Sequence, residues 1–263
     1  MYNKKVNKNN CFTKLNQHKV DIYLFTIFAD LPVKAFFSGR NGGLSNRPFN
    51  SLNTDNSNME NQQTVEQNMA LIRGALEIKE IFFVKQRHTA KIINLNDNPN
   101  SSGQLEGDAI VVDEANRPIA VKTADCLPII LYDISNRVAA AIHAGRAGTE
   151  KKILSKVLTY LKKRYNTDMA DIIVAFAPAI RQCCYEVDLQ SATQFKNSCG
   201  EEFVNDRMVD MIGANRSQAV ELGVSNSNIY DSQICSACNN QLFFSYRKDN
   251  KITGRFLTGI TLL

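Results

Sequence analysis

The chain has 263 residues, 44% of them apolar, which is enough to bury a core of the size that one domain usually holds. The net charge of +5 belongs to residues 1–19, which carry five lysines and no acid; the 26 basic residues left of 31 equal the 26 acidic ones. A neutral body argues against a nucleic-acid surface, and no uncharged apolar run approaches the ~20 residues that cross a bilayer. We therefore expect a basic, disordered extension over residues 1–19, a single domain over residues 20–263, and neither nucleic acid nor membrane as partner.

The cysteine content predicts free thiols. Seven cysteines are an odd number, and Cys183 and Cys184 are adjacent, which suits thiols better than disulfide bridges in a chain of this length. We therefore expect a reducing compartment, the cytoplasm. In that setting a cysteine close to histidines is a metal ligand or a nucleophile.

Hydrophobic periodicity predicts strands and helices that alternate along the chain. In chain order, the predicted elements are a helix from Thr64 to about Ile78, a strand Ala109 to Val112, a strand Ile119 to Leu131 broken at Pro128, a strand Val138 to His143, a helix Glu150 to Arg164 with Thr149 as N-cap, a strand Ile172 to Phe176 and a weaker helix Ala214 to Leu222.

Two histidines and one cysteine form the candidate metal site. The chain has three histidines, and His18 lies in the basic terminal segment, which leaves His88 and His143. Cys126 follows His88 by 38 residues and precedes His143 by 17, which matches no local zinc motif. Two imidazoles and one thiolate leave the fourth tetrahedral position open, as in catalytic zinc sites. Taken singly, a core cysteine and a histidine hydrogen-bonded to backbone are the better explanation of these residues, and only their combination indicates a metal site.

Glycine-rich segments provide two candidate anion sites. Gly145, Arg146 and Gly148 follow His143 directly and precede the strongest helix, so free N–H groups and a guanidinium could hold phosphate there. Arg40, in the loop from Ser38 to Ser45, is suited to bidentate binding of phosphate. Ordinary turns explain both segments as well.

Cys235 and Cys238 have the spacing of half a zinc knuckle or of a dithiol. No second such pair and no nearby histidine completes a structural metal site in the sequence. We therefore interpret this pair as structural residues without a metal.

Seven motifs in chain order resemble the YfiH family of laccase-domain proteins, formerly called polyphenol oxidases, over about residues 33 to 262. The motifs are Phe37 to Ser45, Gln86 to His88, Gly107 to Ala109, Thr123 to Pro128, His143 to Gly145, Cys183 to Val187 and Phe244 to Arg247. The chain departs from the family at Arg146-Ala147, where a Trp-Arg pair is usual, and at Thr89, where glycine is usual.

The resemblance implies an α+β fold, a single-domain sandwich of mixed β-sheets flanked by helices and akin to a group of cysteine hydrolases. It also implies zinc on His88, Cys126 and His143, with copper as the less favoured metal. The implied activity is phosphorolysis of adenosine, inosine, guanosine and methylthioadenosine, with deamination of adenosine, so purine nucleoside and phosphate are the expected partners.

The mechanism that we expect places an anion beside a metal. Zinc lowers the pKa of its bound water towards ~7 for attack on C6 of adenine, and phosphate attacks C1′ of the ribose. Asp125 and Glu186 are the candidate proton carriers. Three other functions stay open at this point: a cysteine amidase or hydrolase acting on cell-wall precursors, with Cys126 as nucleophile and His143 as base; a copper oxidase; and a non-catalytic binding module.

Overall fold

The computed structural model describes residues 11–15, 19–56, 59–98 and 102–263. Its strands, in chain order, are β1 Phe12–Lys14, β2 Ile22–Phe25, β3 Val33–Ser38, β4 Ile92–Asn94, β5 Ala109–Val112, β6 Ile119–Thr123, β7 Leu127–Asp133, β8 Val138–Ala144, β9 Ile172–Phe176, β10 Val204–Asn205, β11 Met208–Val209, β12 Ile229–Asp231 and β13 Phe256–Leu262. Its α-helices are α1 Gln62–Leu76, α2 Arg146–Glu150, α3 Ile153–Tyr165, α4 Leu189–Cys199 and α5 Met211–Glu221.

Two large sheets form the body of the protein. One has five strands in the order β1-β2-β3-β13-β6, and the other has six in the order β12-β9-β7-β8-β5-β4. The five-stranded sheet is antiparallel. The six-stranded sheet is mixed, because β12 runs parallel to β9 and β4 runs parallel to β5, whereas its other pairs are antiparallel. This arrangement confirms the expected α+β fold.

Alternation along the strands distributes the core over both faces of the six-stranded sheet. In β7, Ile130 and Tyr132 belong to the core between the two sheets, whereas Ile129 and Leu131 belong to the core beneath α3 and α5. A third core lies where α1 covers the outer face of the five-stranded sheet. The fold therefore has four layers, helix, sheet, sheet and helices, and each face of the two large sheets packs against an apolar neighbour.

The structure corrects two predicted boundaries. Leu127–Asp133 is continuous through Pro128, and the chain breaks instead at residues 124–126, where Asp125 adopts a left-handed φ of 88°. Thr149 is not the N-cap of the long helix: it lies in the short helix α2, and α3 begins at Ile153 after the left-handed residue Lys152. A separate turn of helix therefore joins β8 to α3.

The amino-terminal segment departs from the expected extension. Phe12–Lys14 forms strand β1, which pairs with β2, and the ring of Phe12 packs edge-on against Tyr23 and Phe37. Part of the segment predicted to be disordered therefore belongs to the five-stranded sheet. Residues 1–10 and 16–18 of that prediction lie outside the described residues.

Among the described helices, none combines the length and the apolar character that a bilayer crossing requires.

Substitution of glycine by alanine should change the free energy of unfolding in opposite directions at Gly259 and Gly74. A Cβ at Gly259, in the central strand β13, would lie 2.6 Å from the backbone oxygen of Ile119 and 2.8 Å from Ala120. We expect Gly259→Ala to lower the free energy of unfolding by about 1–3 kcal/mol, because two packed strands would have to separate. At Gly74 in α1 nothing lies within 4 Å of the added carbon, so Gly74→Ala should raise it by about 0.5–1 kcal/mol.

Denaturant unfolding of both variants beside the wild type measures the two changes. Equal effects of both substitutions would contradict the tight β13–β6 contact.

Candidate metal and active site

The structure brings His88, Cys126 and His143 together. Their ligand atoms all lie within 4.8 Å of one another, and the Cys126 Sγ is 3.8 Å from the His88 Nε2. His88 lies on the loop between α1 and β4, Cys126 on the turn between β6 and β7, and His143 near the end of β8. Cys126 is half-buried, His143 is buried and His88 is exposed, so the group is open to solvent on its His88 side.

The buried carboxylate of Asp108 holds two of the three candidate ligands, His88 and His143, in position. Its carboxylate is fully buried and accepts hydrogen bonds from the backbone N–H groups of Arg87, His88 and Thr89 and from the Thr89 hydroxyl. The same carboxylate lies 2.9 Å from Nδ1 of His143. Because a carboxylate accepts hydrogen bonds, Nδ1 carries the proton, and Nε2 of His143 is left as the ligand atom.

Charge is concentrated on three of these residues. Burial opposes ionisation of the Cys126 thiol, but the charge of His143 and hydrogen bonds from both histidines outweigh it and lower the pKa of Cys126 to about 6. Burial likewise opposes the charged form of His143, but Cys126 and Asp108 outweigh it and raise the pKa of His143 to about 9. The hydrogen bonds from His143 and Thr89 overcome the burial of Asp108 and hold its pKa below the ordinary value. The Cys126 thiol and the His143 imidazole therefore each favour the charged form of the other.

The backbone at the site adopts left-handed conformations that only strong local contacts maintain. His88 has a φ of 56° and Asp125 a φ of 88°. The N–H of His88 is bound by Asp108, as described above. The Asp125 carboxylate accepts hydrogen bonds from the Ser236 hydroxyl and the Arg247 N–H. Asp125 thus braces the turn that presents Cys126.

This bracing role corrects the prediction of Asp125 as a proton carrier. Its side chain is buried and bonded away from the three ligand atoms, and burial raises the pKa of its carboxyl despite those hydrogen bonds. Glu186 does not reach them either: its half-exposed carboxylate forms an ion pair with Arg207.

Gly145 is required by close approach. A Cβ there would lie 2.8 Å from the Cys126 sulfur and 3.1 Å from the His88 ring, so no larger residue leaves room for the ligands. The predicted loop from Gly145 to Thr149 is the short helix α2, with Gly145 as its N-cap residue. Gly148 is buried, and a Cβ there would make only ordinary contacts with the backbone of His143 and Thr89, so close packing does not require glycine at this position.

A cleft of about 740 Å³ opens over the three ligand residues. Its walls include the aromatic rings of Phe83 and Tyr246 and several cationic side chains. The cations are Lys85, Arg87, Lys122 and Arg255. The cleft therefore combines flat apolar surface with positive charge beside the candidate metal position.

Arg146 lines a second, shallower depression, together with Tyr185, Arg207 and Arg247 and the acidic residues Glu186 and Asp188. The Arg146 guanidinium is 29% exposed and lies 2.6 Å from the Glu150 carboxylate. Burial, followed by the negative charge of Cys126, raises the pKa of Tyr185 to about 12. The tyrosine hydroxyl therefore stays protonated at neutral pH.

The structure does not bring Arg40 to the site, which corrects its prediction as a phosphate ligand. Its side chain is 9% exposed, and the guanidinium donates hydrogen bonds to the backbone oxygens of Asn50 and Asn240 and pairs with Asp249. It also lies 4.7 Å above the centre of the Phe244 ring. The guanidinium of Arg40 therefore joins the loop that contains Asn50 to the loop that contains Asn240 and Asp249.

Sequence reasoning missed the roles of Asp108 and Tyr185, although both lie in motifs that it singled out. The signal for Asp108 was its place directly before β5. In the sheet Ala109 pairs with Ile142, so Asp108 comes opposite His143, and the His143 N–H donates to the Asp108 backbone oxygen at 2.7 Å. No sequence signal reveals that β5 and β8 are neighbours.

Comparison with known proteins identifies similar sequences and structures. Residues 34–263 match the family model described as multi-copper polyphenol oxidoreductase laccase. A purine nucleoside phosphorylase of Clostridium acetobutylicum is 32% identical over 250 residues, covering 94% of this chain and 99% of the relative. An adenosine deaminase from an unknown prokaryotic organism is 32% identical over 202 residues, covering 70% and 76%. The crystal structure of the hypothetical protein YfiH of Bacillus licheniformis superposes with a TM-score of 0.89 at 28% identity, covering 97% of this chain and 100% of that one.

Substitution of Asp108 should lower the affinity of the candidate site for a metal. We expect Asp108→Asn to weaken zinc binding by about 10- to 100-fold, because the orientation of His143 and of the His88 loop depends on this carboxylate. The control is Asp133→Asn, which changes another fully buried carboxylate at the end of β7, bonded to Asn136. Competition titration with a chromogenic chelator measures both affinities, and equal affinities for the two variants would refute the role of Asp108.

Proposed function

The chain belongs to the multi-copper polyphenol oxidoreductase laccase family, and from this membership we propose that it is a zinc-dependent purine nucleoside enzyme. The resemblance to the YfiH family is confirmed by the family match and by the structural superposition. Purine nucleoside processing is supported by relatives named purine nucleoside phosphorylase and adenosine deaminase. The proposed reactions are phosphorolysis of adenosine, inosine, guanosine and methylthioadenosine and deamination of adenosine.

The observation that carries this proposal is the convergence of two imidazoles and a low-pKa thiol at the bottom of a cleft. A tetrahedral zinc ion with bonds of about 2.0–2.3 Å separates its ligand atoms by about 3.3–3.8 Å. The Cys126 Sγ and the His88 Nε2 are 3.8 Å apart, and all three ligand atoms lie within 4.8 Å. The donor set thus fits zinc after small side-chain adjustments, with His88, Cys126 and His143 as the ligands.

Zinc, rather than a set of coppers, suits these residues. A multicopper oxidase needs many histidines, and within the described part of the chain only His88 and His143 are available. One thiolate and two imidazoles can hold a single copper ion but not a cluster. The family name therefore indicates common ancestry and is not evidence for copper oxidase activity.

Bound zinc supplies Lewis acidity and lowers the pKa of a coordinated water towards ~7. The chain's own groups do the rest. Asp108 holds the proton on Nδ1 of His143, and the rings of Phe83 and Tyr246 provide flat surfaces for a purine.

Phosphate is the second substrate in this proposal. Arg146 is the first cation of the chain after His143, and three arginines against two acidic residues give the second depression a positive net charge. Anions bind such guanidinium groups through paired, charge-assisted hydrogen bonds. The protonated Tyr185 lines the same depression and is suited to donate a hydrogen bond to the phosphate.

One observation favours a second candidate function. The Cys126 thiol has a pKa of about 6, and His143, with a pKa of about 9, lies beside it. A thiolate next to an imidazolium is also the arrangement of a cysteine hydrolase, in which Cys126 attacks an amide carbonyl. Metal binding and nucleophilic attack compete for the same sulfur, so a metal titration separates the two candidates.

Incubation with adenosine tests the main proposal. We expect zinc-loaded protein to form adenine and ribose 1-phosphate when phosphate is present and inosine when it is absent. Cys126→Ala should lose both activities and its zinc at this site, since it removes the thiolate ligand. Cys199→Ala, which changes a half-buried thiol on α4, is the matched control and should keep both. Chromatography of the purines measures the products.

The opposite result is equally clear. If metal-free protein is the active form, and iodoacetamide alkylates Cys126 in step with the loss of amide hydrolysis, the cysteine-hydrolase candidate replaces the zinc enzyme. If neither nucleosides nor amides react above the Cys126→Ala background, both candidates fail.

Substitution of Arg146 should impair phosphorolysis and leave deamination almost unchanged. A charge-assisted hydrogen bond contributes about 1.5–3 kcal/mol, so Arg146→Ala should raise the KM for phosphate by about 10- to 100-fold. Phosphate-independent deamination of adenosine should stay within about twofold of the wild type. Arg164→Ala removes a guanidinium that pairs with Asp97 in another exposed ion pair and serves as the control. A parallel loss of both activities would show that Arg146 does not act through phosphate.

A further inference from the structure

A second group of sulfur atoms lies outside the site at His88. Cys183, Cys184, Cys235 and Cys238 place their sulfurs within 4.8 Å of one another. Sequence reasoning left the Cys235–Cys238 pair without partners, but the fold supplies them from a segment about 50 residues earlier, as the 54-residue separation of Cys184 and Cys238 shows. We call these four residues the thiol cluster.

We propose that the thiol cluster is a structural zinc site with four cysteine ligands. This proposal uses none of the residues that form the candidate catalytic metal site. It does not depend on whether the chain acts on nucleosides.

The sulfur positions suit a tetrahedral ion. Zinc–sulfur bonds of about 2.3 Å in a tetrahedron place neighbouring sulfurs about 3.8 Å apart. The Cys183 sulfur is 3.8 Å from those of Cys184 and Cys238, and the Cys184 and Cys238 sulfurs are 3.3 Å apart. Three sulfurs therefore lie close to the spacing of such a tetrahedron, and the Cys235 sulfur is within 4.8 Å of each of them, so binding requires only small movements. Four soft thiolates in this geometry select zinc or iron–sulfur centres, and a single-ion cage of this size favours zinc.

The backbone holds the two segments together independently of the sulfurs. The Ser236 N–H donates to the Ala179 backbone oxygen, and the Ala179 N–H donates to the backbone oxygen of Ile234. The Cys184 N–H donates to the Arg181 backbone oxygen in the turn that carries the adjacent cysteines. The four ligands are therefore preorganised, which lowers the entropic cost of binding an ion.

The close packing of the sulfurs suits a cation. Four thiolates within 4.8 Å of one another would repel each other, and a divalent ion bound among them removes this repulsion.

Two arginines hold the backbone next to the cluster. Arg247 donates hydrogen bonds to the backbone oxygens of Cys184 and Glu186, at 3.1 and 2.7 Å. Arg181, in the turn before Cys183, makes a bidentate pair with Asp231. Such surrounding contacts orient ligands and stabilise the metal.

A metal here would brace the walls of the candidate active site. Ser236, between two ligands of the cluster, donates a 2.6 Å hydrogen bond to Asp125, the neighbour of Cys126. Arg247 joins the same network, because its N–H also donates to Asp125. Four protein ligands leave no open coordination position, so the site is structural rather than catalytic.

The two zinc sites can be measured separately in one experiment. We expect the full chain, purified with a reductant and without chelator, to carry about one zinc ion per chain in the Cys126→Ala background, held by the thiol cluster. Adding Cys238→Ser to that background should reduce zinc to near zero, whereas adding Cys199→Ser should leave it unchanged. Mass spectrometry of the eluted metal gives the stoichiometry. Zinc that is lost with Cys126→Ala alone, or kept with Cys238→Ser, would overturn the proposal.

Thiol alkylation of the otherwise unaltered chain provides a second measurement that does not depend on the variants folding. Cys183 and Cys238 are exposed, so iodoacetamide should modify both rapidly after chelator treatment and much more slowly when zinc is restored. Peptide mapping locates the modified residues, and Cys199 serves as the internal reference. Alkylation that zinc does not slow, or a Cys184–Cys238 disulfide detected as the loss of two hydrogens in the reductant-purified protein, would refute the metal site.

Discussion

The hydrogen bonds of the buried Asp108 carboxylate are the constraint on which the candidate site depends. One side chain, fully removed from solvent, binds three consecutive N–H groups of the His88 loop and the imidazole of His143. Leaving such a carboxylate without donors would be costly, so the loop and the strand are locked together. Two of the three ligands are thereby positioned by one interaction, and the left-handed backbone of His88 is a consequence of it.

The sandwich explains why this constraint can be met. The six-stranded sheet has an apolar partner on each face, so its strands stay rigid up to their ends, where His143 and the Cys126 turn emerge. Rigid strand ends hold a metal geometry more accurately than a free loop does. The exposed His88 completes the group from a loop, and its openness leaves the cleft side free for a substrate.

The two cysteine-containing groups of the molecule differ in ways that suit different tasks. In the two proposals, His88, Cys126 and His143 supply three ligands and leave one coordination position open to the cleft, whereas the thiol cluster supplies four ligands and leaves none. The link between them is Asp125, which braces the Cys126 turn and accepts a hydrogen bond from Ser236 inside the cluster. A structural metal and a catalytic metal in one domain would then share a single polar network, and the rigidity of the first would be transmitted to the second.

The residue order alone predicted the strands Ala109–Val112 and Ile172–Phe176, because short continuous apolar runs are a local property. It also singled out His88, Cys126 and His143 as candidate ligands, because the ability to bind a metal belongs to each side chain. The α+β fold class was predicted from the family motifs. Only the tertiary structure decided that Arg40 joins surface loops, that Asp125 braces a turn, that Asp108 supports two ligands and that Cys183 and Cys184 complete the Cys235–Cys238 pair. Those roles depend on which strands become neighbours and which loops meet, and such contacts join residues tens to hundreds of positions apart. Their partners are set by the packing of the whole sandwich, which no local pattern encodes.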